Sequence, residues 1–193
     1  RVRIGGTGIQ ARYQSRALAA LAGQPLSFRI WGRAGEKTEA IVAELKRDGR
    51  DASVATGLEP ACREADIIIT TTPSTEPLVR SDWVQPGTHI TAMGADGPGK
   101  QELEAALVAR ANVRVADMKT QSLGHGEFSH ARSAGLIGSD DCIELGGVLA
   151  GTLQGRRSDE DITIADLTGV ATQDIAMART VLERATVKQN CRD

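Results

Sequence analysis

Short apolar runs alternate with segments of helical periodicity along the whole chain, and we interpret the runs as strands. The predicted strands are residues 2–6, 27–31, 52–54, 66–71, 88–93, 113–117 and 162–166. The predicted helices are residues 8–22, 36–48, 59–64, 102–110, 143–152 and 170–185. Strands separated by helices at such short spacing are typical of βαβ units. We therefore expect an α/β fold, a doubly wound domain with a mostly parallel sheet.

The helical periodicity also groups apolar residues on faces. In the first helix one face carries Ile9, Tyr13, Ala17, Ala20 and Leu21. In the second helix the inward residues are Ile41, Val42 and Leu45. The last helix has its apolar positions at Ile175, Ala178, Val181 and Leu182.

The first predicted strand runs directly into a glycine-rich turn and then a helix. Residues 6–11 fit the pattern G-x-G-x-x-G/A, which carries a dinucleotide pyrophosphate: Gly6, Thr7, Gly8, Ile9, Gln10 and Ala11. Gly6 permits the tight turn, Gly8 lets the pyrophosphate approach the backbone, and Ala11 lets the helix pack on the sheet. The helix N-terminus offers free N–H groups to the phosphates. Glycine turns are common, but in a βαβ context this one predicts a Rossmann-type NAD(P)-binding domain.

Composition narrows the class of protein further. The chain has 193 residues and a net charge of −2, so we expect no nucleic-acid partner. No apolar run approaches the length of a membrane span, and we expect no membrane association. The cysteines Cys62, Cys142 and Cys191 are odd in number and form no C-x-x-C pair, which argues against a disulfide framework. A reducing cytoplasm is the simplest compartment for such a chain.

The start of the chain bears on its domain organisation. Arg1 already lies at the edge of a predicted core strand, and there is no initiator Met. We therefore expect the chain to be part of a longer protein. Residues 1–193 are predicted to form one Rossmann domain, with 1–150 as its main cofactor-binding part and 151–193 as a closing strand and long helix.

The end of the second strand bears on the choice of cofactor. NAD-binding domains place an acidic residue about 20 positions after the glycines, where it binds the ribose 2′-OH. Here Trp31 and Gly32 are followed by Arg33 instead of Asp or Glu. A guanidinium there can pair with a 2′-phosphate, so we favour NADP(H) over NAD(H). The alternative is that Arg33 is a solvated turn residue and that Glu36 binds a ribose hydroxyl.

Four predicted loops lie at the carboxyl ends of strands, where ligands bind in open α/β sheets. The loop of residues 70–77 has hydroxyls that can line the ribose and nicotinamide, and the loop of residues 93–100 surrounds Asp96 with glycines. A carboxylate there can act as acid or base or hold a substrate amine, and Lys100 can neutralise it or contact the cofactor. An ordinary turn is the alternative for both loops. The other two loops are residues 119–127 and 166–169.

The three histidines suggest no metal centre. His125, Glu127 and His130 form an H-x-E-x-x-H pattern, and on a helix the two histidines would lie about 140° apart. We therefore predict no metal site. His89 lies inside a strand, and we interpret it as a packed or edge side chain.

Taken together, these loops resemble the ornithine cyclodeaminase/mu-crystallin family. The matching stretches keep their order and spacing across nearly the whole chain: residues 6–12, 65–68, 72–77, 83–90, 94–103 and 168–174. The run Gly-Ala-Asp-Gly-Pro-Gly-Lys at residues 94–100 is more specific than the first glycine turn.

The resemblance implies roles for individual residues. Asp96 corresponds to the catalytic carboxylate and contacts the substrate, and Lys100 corresponds to a lysine that contacts the cofactor. The other implied cofactor contacts are Thr70, Thr71, Thr72, Met93, Gly94 and Leu167. Thr168 and Gly169 are placed beside the substrate.

The resemblance also implies a second domain and an activity. That domain is built mainly from residues before the glycine turn; it carries homodimer contacts and the Arg and Lys that grip the substrate carboxylate, and the closing helix leads back to it. The implied reaction is hydride transfer at the α-carbon of an L-amino acid or its imine. A cyclodeaminase returns the hydride after the side-chain amine has displaced ammonia, whereas a dehydrogenase or ketimine reductase transfers it once. The alternative is an NADPH-binding, mu-crystallin-like protein that binds a small ligand.

Overall fold

The structure, a computed structural model, describes residues 1–190, and side chains only as far as residue 185. Cys191 lies outside the described residues. The strands are β1 (Val2–Gly5), β2 (Ser27–Trp31), β3 (Asp51–Val54), β4 (Ile67–Thr70), β5 (His89–Ala92), β6 (Val113–Ala116), β7 (Ile143–Glu144) and β8 (Thr163–Asp166). The helices are α1 (Ile9–Leu21), α2 (Gly35–Arg47), α3 (Leu58–Arg63), α4 (Ala105–Arg110), α5 (Lys119–His125), α6 (Glu127–Ser133), α7 (Leu145–Leu149) and α8 (Ala171–Asn190).

The strands form one parallel sheet in the order β3-β2-β1-β4-β5-β8-β6-β7. After β1 the chain builds outward through β2 and β3, and it then crosses to the other side of β1 to form β4. This reversal leaves a crevice between the loops after β1 and β4, where open α/β sheets bind ligands. The expected doubly wound, parallel α/β fold is confirmed.

Two buried clusters cover opposite faces of the sheet. Ile68 and Ile69 are neighbours in β4 and belong to different clusters, because successive strand residues point to opposite faces. The cluster around Ile69 includes residues of β1, β2 and α2, and the cluster around Ile68 includes residues of α4 and α6. The sheet is therefore covered on both faces, which suits its apolar strands.

The predicted apolar face of α1 does not pack on the sheet. Ile9 is 67% exposed, Tyr13 is 61% exposed and Leu21 is 83% exposed, whereas Ala11 and Ser15 are fully buried. The helix lies so close to the strands that only small side chains fit between them. The inward face of α1 is therefore set by side-chain size, and the apolar periodicity predicted the wrong face. The face predicted for α2 is correct, since Ile41, Val42 and Leu45 are buried.

Three further predictions needed correction. Residues 119–127 are not a loop, because they form α5 and the start of α6. Residues 143–152 are not one helix; they contain the short strand β7 and then α7. The helix expected from residue 102 begins only at Ala105.

The closing helix α8 is exposed on all sides from residue 171 to residue 185. Its apolar residues Ile175, Val181 and Leu182 are 66%, 57% and 68% exposed. None of the helices in the described part of the chain is both long and apolar enough to cross a membrane.

Candidate cofactor and substrate site

The glycine turn after β1 has a conformation that its first glycine makes possible. Gly6 has a φ of 132°, and a Cβ there would overlap the hydroxyl of Thr71. The Gly6 N–H donates to the carbonyl of Trp31 at 2.9 Å, which holds the turn against the end of β2. A side chain at this position would therefore be strained by both the backbone and the packing.

The N-terminus of α1 faces open space. No described side chain caps it, its first turn contains no acidic residue, and its N-cap is Gly8. A Cβ built on Gly8 has nothing within 4 Å, so only a ligand would meet a side chain there. Free N–H groups, the positive end of the helix dipole and an unobstructed approach fit a dinucleotide pyrophosphate.

A cleft of about 300 Å³ opens from this turn along the ends of β1, β2 and β4. Its lining is made of the glycine turn, the segment after β2 and the loop after β4: Gly6, Thr7, Gly8, Trp31, Gly32, Arg33, Ala34, Lys37, Thr71, Thr72, Pro73, Ser74 and Leu78. The cleft therefore brings together six of the thirteen residues predicted to contact the cofactor: Gly6, Thr7, Gly8, Arg33, Thr71 and Thr72. Ile9 and Gln10 begin α1 beside it, exposed.

Thr70 lies below the cleft and does not line it. It is 1% exposed, while Thr71 and Thr72 are half-buried in the lining. Thr70 was predicted to contact the cofactor, but in this structure its side chain is too buried to reach the cleft.

Two exposed cations stand at the far end of the cleft. Arg33 follows β2, and Lys37 lies in the first turns of α2. Within the described residues neither forms an ion pair, although Arg12 and Arg16 on α1 pair with Glu44 and Asp48. Lys37 was not among the predicted site residues, because an exposed lysine in a helix gives no signal until the helix is placed.

The loop after β5 carries Asp96 and Lys100. The Lys100 ammonium donates to Asp96 Oδ1 at 2.5 Å, and the Lys100 and Asp96 side chains are 34% and 54% exposed. At its start the Met93 N–H donates to the carbonyl of Thr70 at 3.0 Å, and at its end His130 Nε2 is 2.8 Å from the carbonyl of Lys100. The loop is fixed at both ends, and it presents a paired but accessible carboxylate.

The loop after β8 lies beside it because β8 is inserted between β5 and β6. The Leu167 N–H donates to the carbonyl of Ala92 at 2.9 Å. Asp117, directly after β6, accepts hydrogen bonds from the Thr168 hydroxyl at 3.0 Å and from the Gly169 N–H at 2.7 Å. The residues predicted to flank the substrate are therefore brought next to the Asp96 loop, and Asp117, which was missed in the sequence, holds them there.

Three buried carboxyl groups lie beneath these loops: Glu102, Glu127 and Asp166. Burial raises the pKa of Glu102, raises that of Glu127 well above its ordinary value, and raises the pKa of Asp166 to about 7. Each accepts hydrogen bonds from backbone amides, as Glu127 does from Glu102 and Leu103 at 2.6 and 3.0 Å. None was predicted as a site residue, because the partners are amides far away in the sequence.

Two residues of the H-x-E-x-x-H pattern, Glu127 and His130, form hydrogen bonds to the backbone. Glu127 binds backbone amides and His130 meets a carbonyl. Within the described residues no group of three His, Cys, Asp or Glu side chains is placed to hold a metal ion. His89 is half-buried at the start of β5, where burial lowers its pKa to about 4 and its ring nitrogens meet the hydroxyls of Thr163 and Thr91 at 2.7 and 3.1 Å. Cys62 and Cys142 are buried free thiols.

A parallel sheet with a glycine turn at its switch point defines a Rossmann-type dinucleotide-binding domain. The chain also matches the model of the ornithine cyclodeaminase/mu-crystallin family over residues 1–189. It belongs to that family, as its loops indicated.

Solved structures of three proteins share this fold. An archaeal alanine dehydrogenase dimer with bound NAD superimposes with a TM-score of 0.91 at 40% identity, covering 97% of this chain and 58% of that one. The iminosuccinate reductase of Paracoccus denitrificans, in complex with NAD⁺, gives 0.91 at 39% identity, covering 97% and 57%. The Δ1-pyrroline-2-carboxylate reductase of Thermococcus litoralis, in complex with NADH and L-proline, gives 0.91 at 26% identity, covering 97% and 58%. The chain spans about half the length of the curated relatives it matches.

Proposed function

We propose that the protein binds a nicotinamide dinucleotide in the cleft at the switch point and transfers hydride at the α-carbon of an L-amino acid or its imine. The observation that carries this proposal is the position of Asp96. Its loop follows β5, the strand next to β4, whose own loop lines the cleft. The relatives with solved structures act on, or are named for, amino acids and cyclic or acyclic imines.

The residues of this chain have separate tasks in that reaction. When bound, the nicotinamide would supply or accept the hydride. The glycine turn and the α1 N-terminus would hold the pyrophosphate, and Thr71 and Thr72 line the cleft beside it. Asp96 takes up or returns the proton of the substrate amine, and Lys100 holds the Asp96 carboxylate until substrate arrives. Thr168 and Gly169 form the opposite side of the substrate position, and Leu167 before them would contact the cofactor.

The products separate the members of this reaction class. A cyclodeaminase releases ammonia and a cyclic amino acid with no net change in NAD(P)H, since the hydride returns. A dehydrogenase or imine reductase changes the absorbance of NAD(P)H in proportion to turnover. The full-length protein should be assayed with L-ornithine, L-alanine and Δ1-piperideine-2-carboxylate, with both ammonia and absorbance recorded.

The variant Asp96→Asn tests whether the site is catalytic. It keeps the size of the side chain and removes the proton acceptor, so we expect turnover to fall at least about a hundredfold, which is within the usual contribution of a general acid or base. Binding of the cofactor should remain. If the wild-type protein turns over none of these substrates yet binds a small ligand and NADPH, the second candidate, a mu-crystallin-like binding protein, is favoured.

We further propose that the cofactor is NADP(H). Arg33 and Lys37 support this preference, because both line the cleft, lack an acidic partner within the described residues, and are suited to a 2′-phosphate. The three solved relatives were determined with NAD, NAD⁺ or NADH. A nicotinamide dinucleotide is thus common to the proposal and the relatives, whereas the proposed preference for NADP(H) rests on Arg33 and Lys37 of this chain.

The assembly is also a proposal. We infer that residues 1–150 form the main cofactor-binding part and that the closing strand and α8 lead to a substrate and dimerisation domain in a cytoplasmic homodimer. The exposure of apolar residues along α8 supports this, because helices in proteins gain most of their stability by packing an apolar face. Light scattering of the full-length protein tests it, and a monomer at micromolar concentration would refute the dimer.

A further inference from the structure

Glu102 is a buried acidic residue whose side chain contacts two loops of the proposed site. It is fully buried, in the segment before α4. Its Oε1 accepts the N–H of Thr72 at 2.6 Å, and its Oε2 accepts the N–H of Gly94 at 2.9 Å. Thr72 lines the cleft, and Gly94 begins the loop that carries Asp96. One carboxylate therefore binds the cofactor loop with one oxygen and the Asp96 loop with the other.

The main chain of Glu102 is itself held on two sides. Its N–H donates to Glu127 Oε1 at 2.6 Å. Its carbonyl accepts the N–H groups of Leu78 and Val79 at 2.7 and 2.9 Å. The backbone that carries the carboxylate is therefore fixed, and the two hydrogen bonds of the carboxylate fix the two loops relative to that backbone.

The packing around Gly94 supports the same conclusion. A Cβ on Gly94 would overlap both the Glu102 carboxylate and the carbonyl of Thr72. The absence of a side chain at this position lets the two loops and the carboxylate meet closely. The glycine that opens the Asp96 loop is therefore explained by contact with Glu102.

We propose that Glu102 is a positioning residue that sets the spacing between the loop lining the cofactor cleft and the loop carrying Asp96. The inference rests on the proposed function, because it concerns the alignment of cofactor and proton acceptor. If one loop moves, the other is expected to move with it, because both are hydrogen-bonded to the Glu102 side chain. Small displacements of reacting groups have large effects on rate, since the geometry of attack is narrow.

The variant Glu102→Gln, made in the full-length protein, tests the proposal. It keeps the size of the side chain but replaces one acceptor oxygen with an NH₂ group, so one of the two loop amides loses its partner. Asp161→Asn is the matched control. Asp161 is also buried, and its Oδ2 accepts the N–H groups of Arg157 and Ser158 at 2.8 and 3.2 Å, but it precedes β8 and so lies at the amino ends of the strands, away from the cleft.

For Glu102→Gln we expect a rise of about tenfold in the Kd of NADPH and a fall of at least about tenfold in kcat, as for a buried amide left without a partner. Asp161→Asn should lower Tm and leave both Kd and kcat within about twofold of wild type. A purely structural role for Glu102 would give the control's pattern, which would overturn the proposal. A wild-type protein that neither binds NADPH nor turns over substrate would instead refute the proposed function.

If Glu102→Gln does not fold, hydrogen exchange in the wild-type protein gives the answer. The N–H groups of Thr72 and Gly94 should both be protected, and binding of NADPH should slow their exchange together. Rapid exchange at either amide, or a response to NADPH at only one, would overturn the coupling.

Discussion

The two cations at the end of the cleft predict that Arg33→Ala weakens the binding of NADPH but not that of NADH. Arg33 and Lys37 are exposed and have no carboxylate partner within the described residues, so neither charge is already neutralised. A charge-assisted hydrogen bond contributes about 1.5–3 kcal/mol, and exposure places this one near the lower limit. We therefore expect Arg33→Ala to raise the Kd of NADPH about tenfold to thirtyfold. The Kd of NADH, which lacks the 2′-phosphate, should change by less than about twofold.

The measurement is a fluorescence titration of both cofactors at low and high salt. The ratio of the two Kd values should approach one as salt rises, because salt screens exposed charges: the Debye length is about 8 Å at physiological ionic strength and shorter at higher salt. Arg47→Ala is the control: Arg47 lies in the last turn of α2, ten residues after Lys37, so it is roughly 15 Å along the helix from the end of the cleft. Removing it should leave both Kd values unchanged.

One result would refute this reasoning directly. If wild-type protein binds NADH more tightly than NADPH and Arg33→Ala leaves the ratio unchanged, Arg33 is a solvated turn residue. Glu36, in the first turn of α2, then becomes the candidate for a ribose hydroxyl. In that case Glu36→Gln should weaken NADH binding and leave NADPH binding unaltered.

Three other predictions concern the glycine turn and one buried acid. Gly8→Ala should keep the wild-type Tm and lose NADPH binding, because the added methyl group contacts nothing in the fold but occupies the proposed pyrophosphate position. Gly146→Ala is the control, since a Cβ there also has nothing within 4 Å, and it should change neither Tm nor NADPH binding. Tight NADPH binding by Gly8→Ala would contradict the placement of the pyrophosphate at Gly8. Gly6→Ala should instead lower the free energy of unfolding by about 1–3 kcal/mol, from its φ of 132° and its overlap with Thr71. The pKa of Asp166 is raised from 3.8 to about 7, so the native state retains a proton that the unfolded chain releases, and stability should fall as pH rises between these values, by up to about 1.4 kcal/mol per unit. Urea unfolding at pH 5 and pH 7 should show a smaller fall for Asp166→Asn than for wild type, and an equal fall in both would refute the assignment.

The sequence predicted well those features that depend on local geometry. The turn at Gly6 and Gly8 is specified by backbone conformation and by the absence of side chains, and both requirements are visible in a short stretch. The strands were found because apolar runs of a parallel sheet are short and bounded by turns. Boundaries moved by a residue or two, as at β4 and β5, and the loop after each of these strands kept its place.

Features set by distant parts of the chain were missed or wrong. The inward face of α1 was decided by how closely the helix approaches the sheet, which favours Ala11 and Ser15 over Ile9 and Tyr13. Lys37 acquires its place in the cleft only when α2 is positioned beside the end of β2. The order β5-β8-β6 could not be derived from strand positions alone, although it makes the loops after β5 and β8 neighbours.

The two sides of the site are held by different physical means. On the cofactor side, the turn is specified by the lack of side chains, since Gly6 and Gly32 leave room for Thr71 and Thr7. On the substrate side, glycine-rich loops would be free to move if only their own sequences mattered.

There the loops are anchored to carboxylates. Glu102 binds the amides of Thr72 and Gly94, and Asp117 binds the hydroxyl of Thr168 and the amide of Gly169. Acidic residues that a sequence pattern reads as helix ends or turn formers therefore supply the order that a hydride-transfer geometry requires. Burial raises the pKa of Glu102, so the substrate side is sensitive to the ionisation of this acid, whereas the glycine turn has no titrating group of its own.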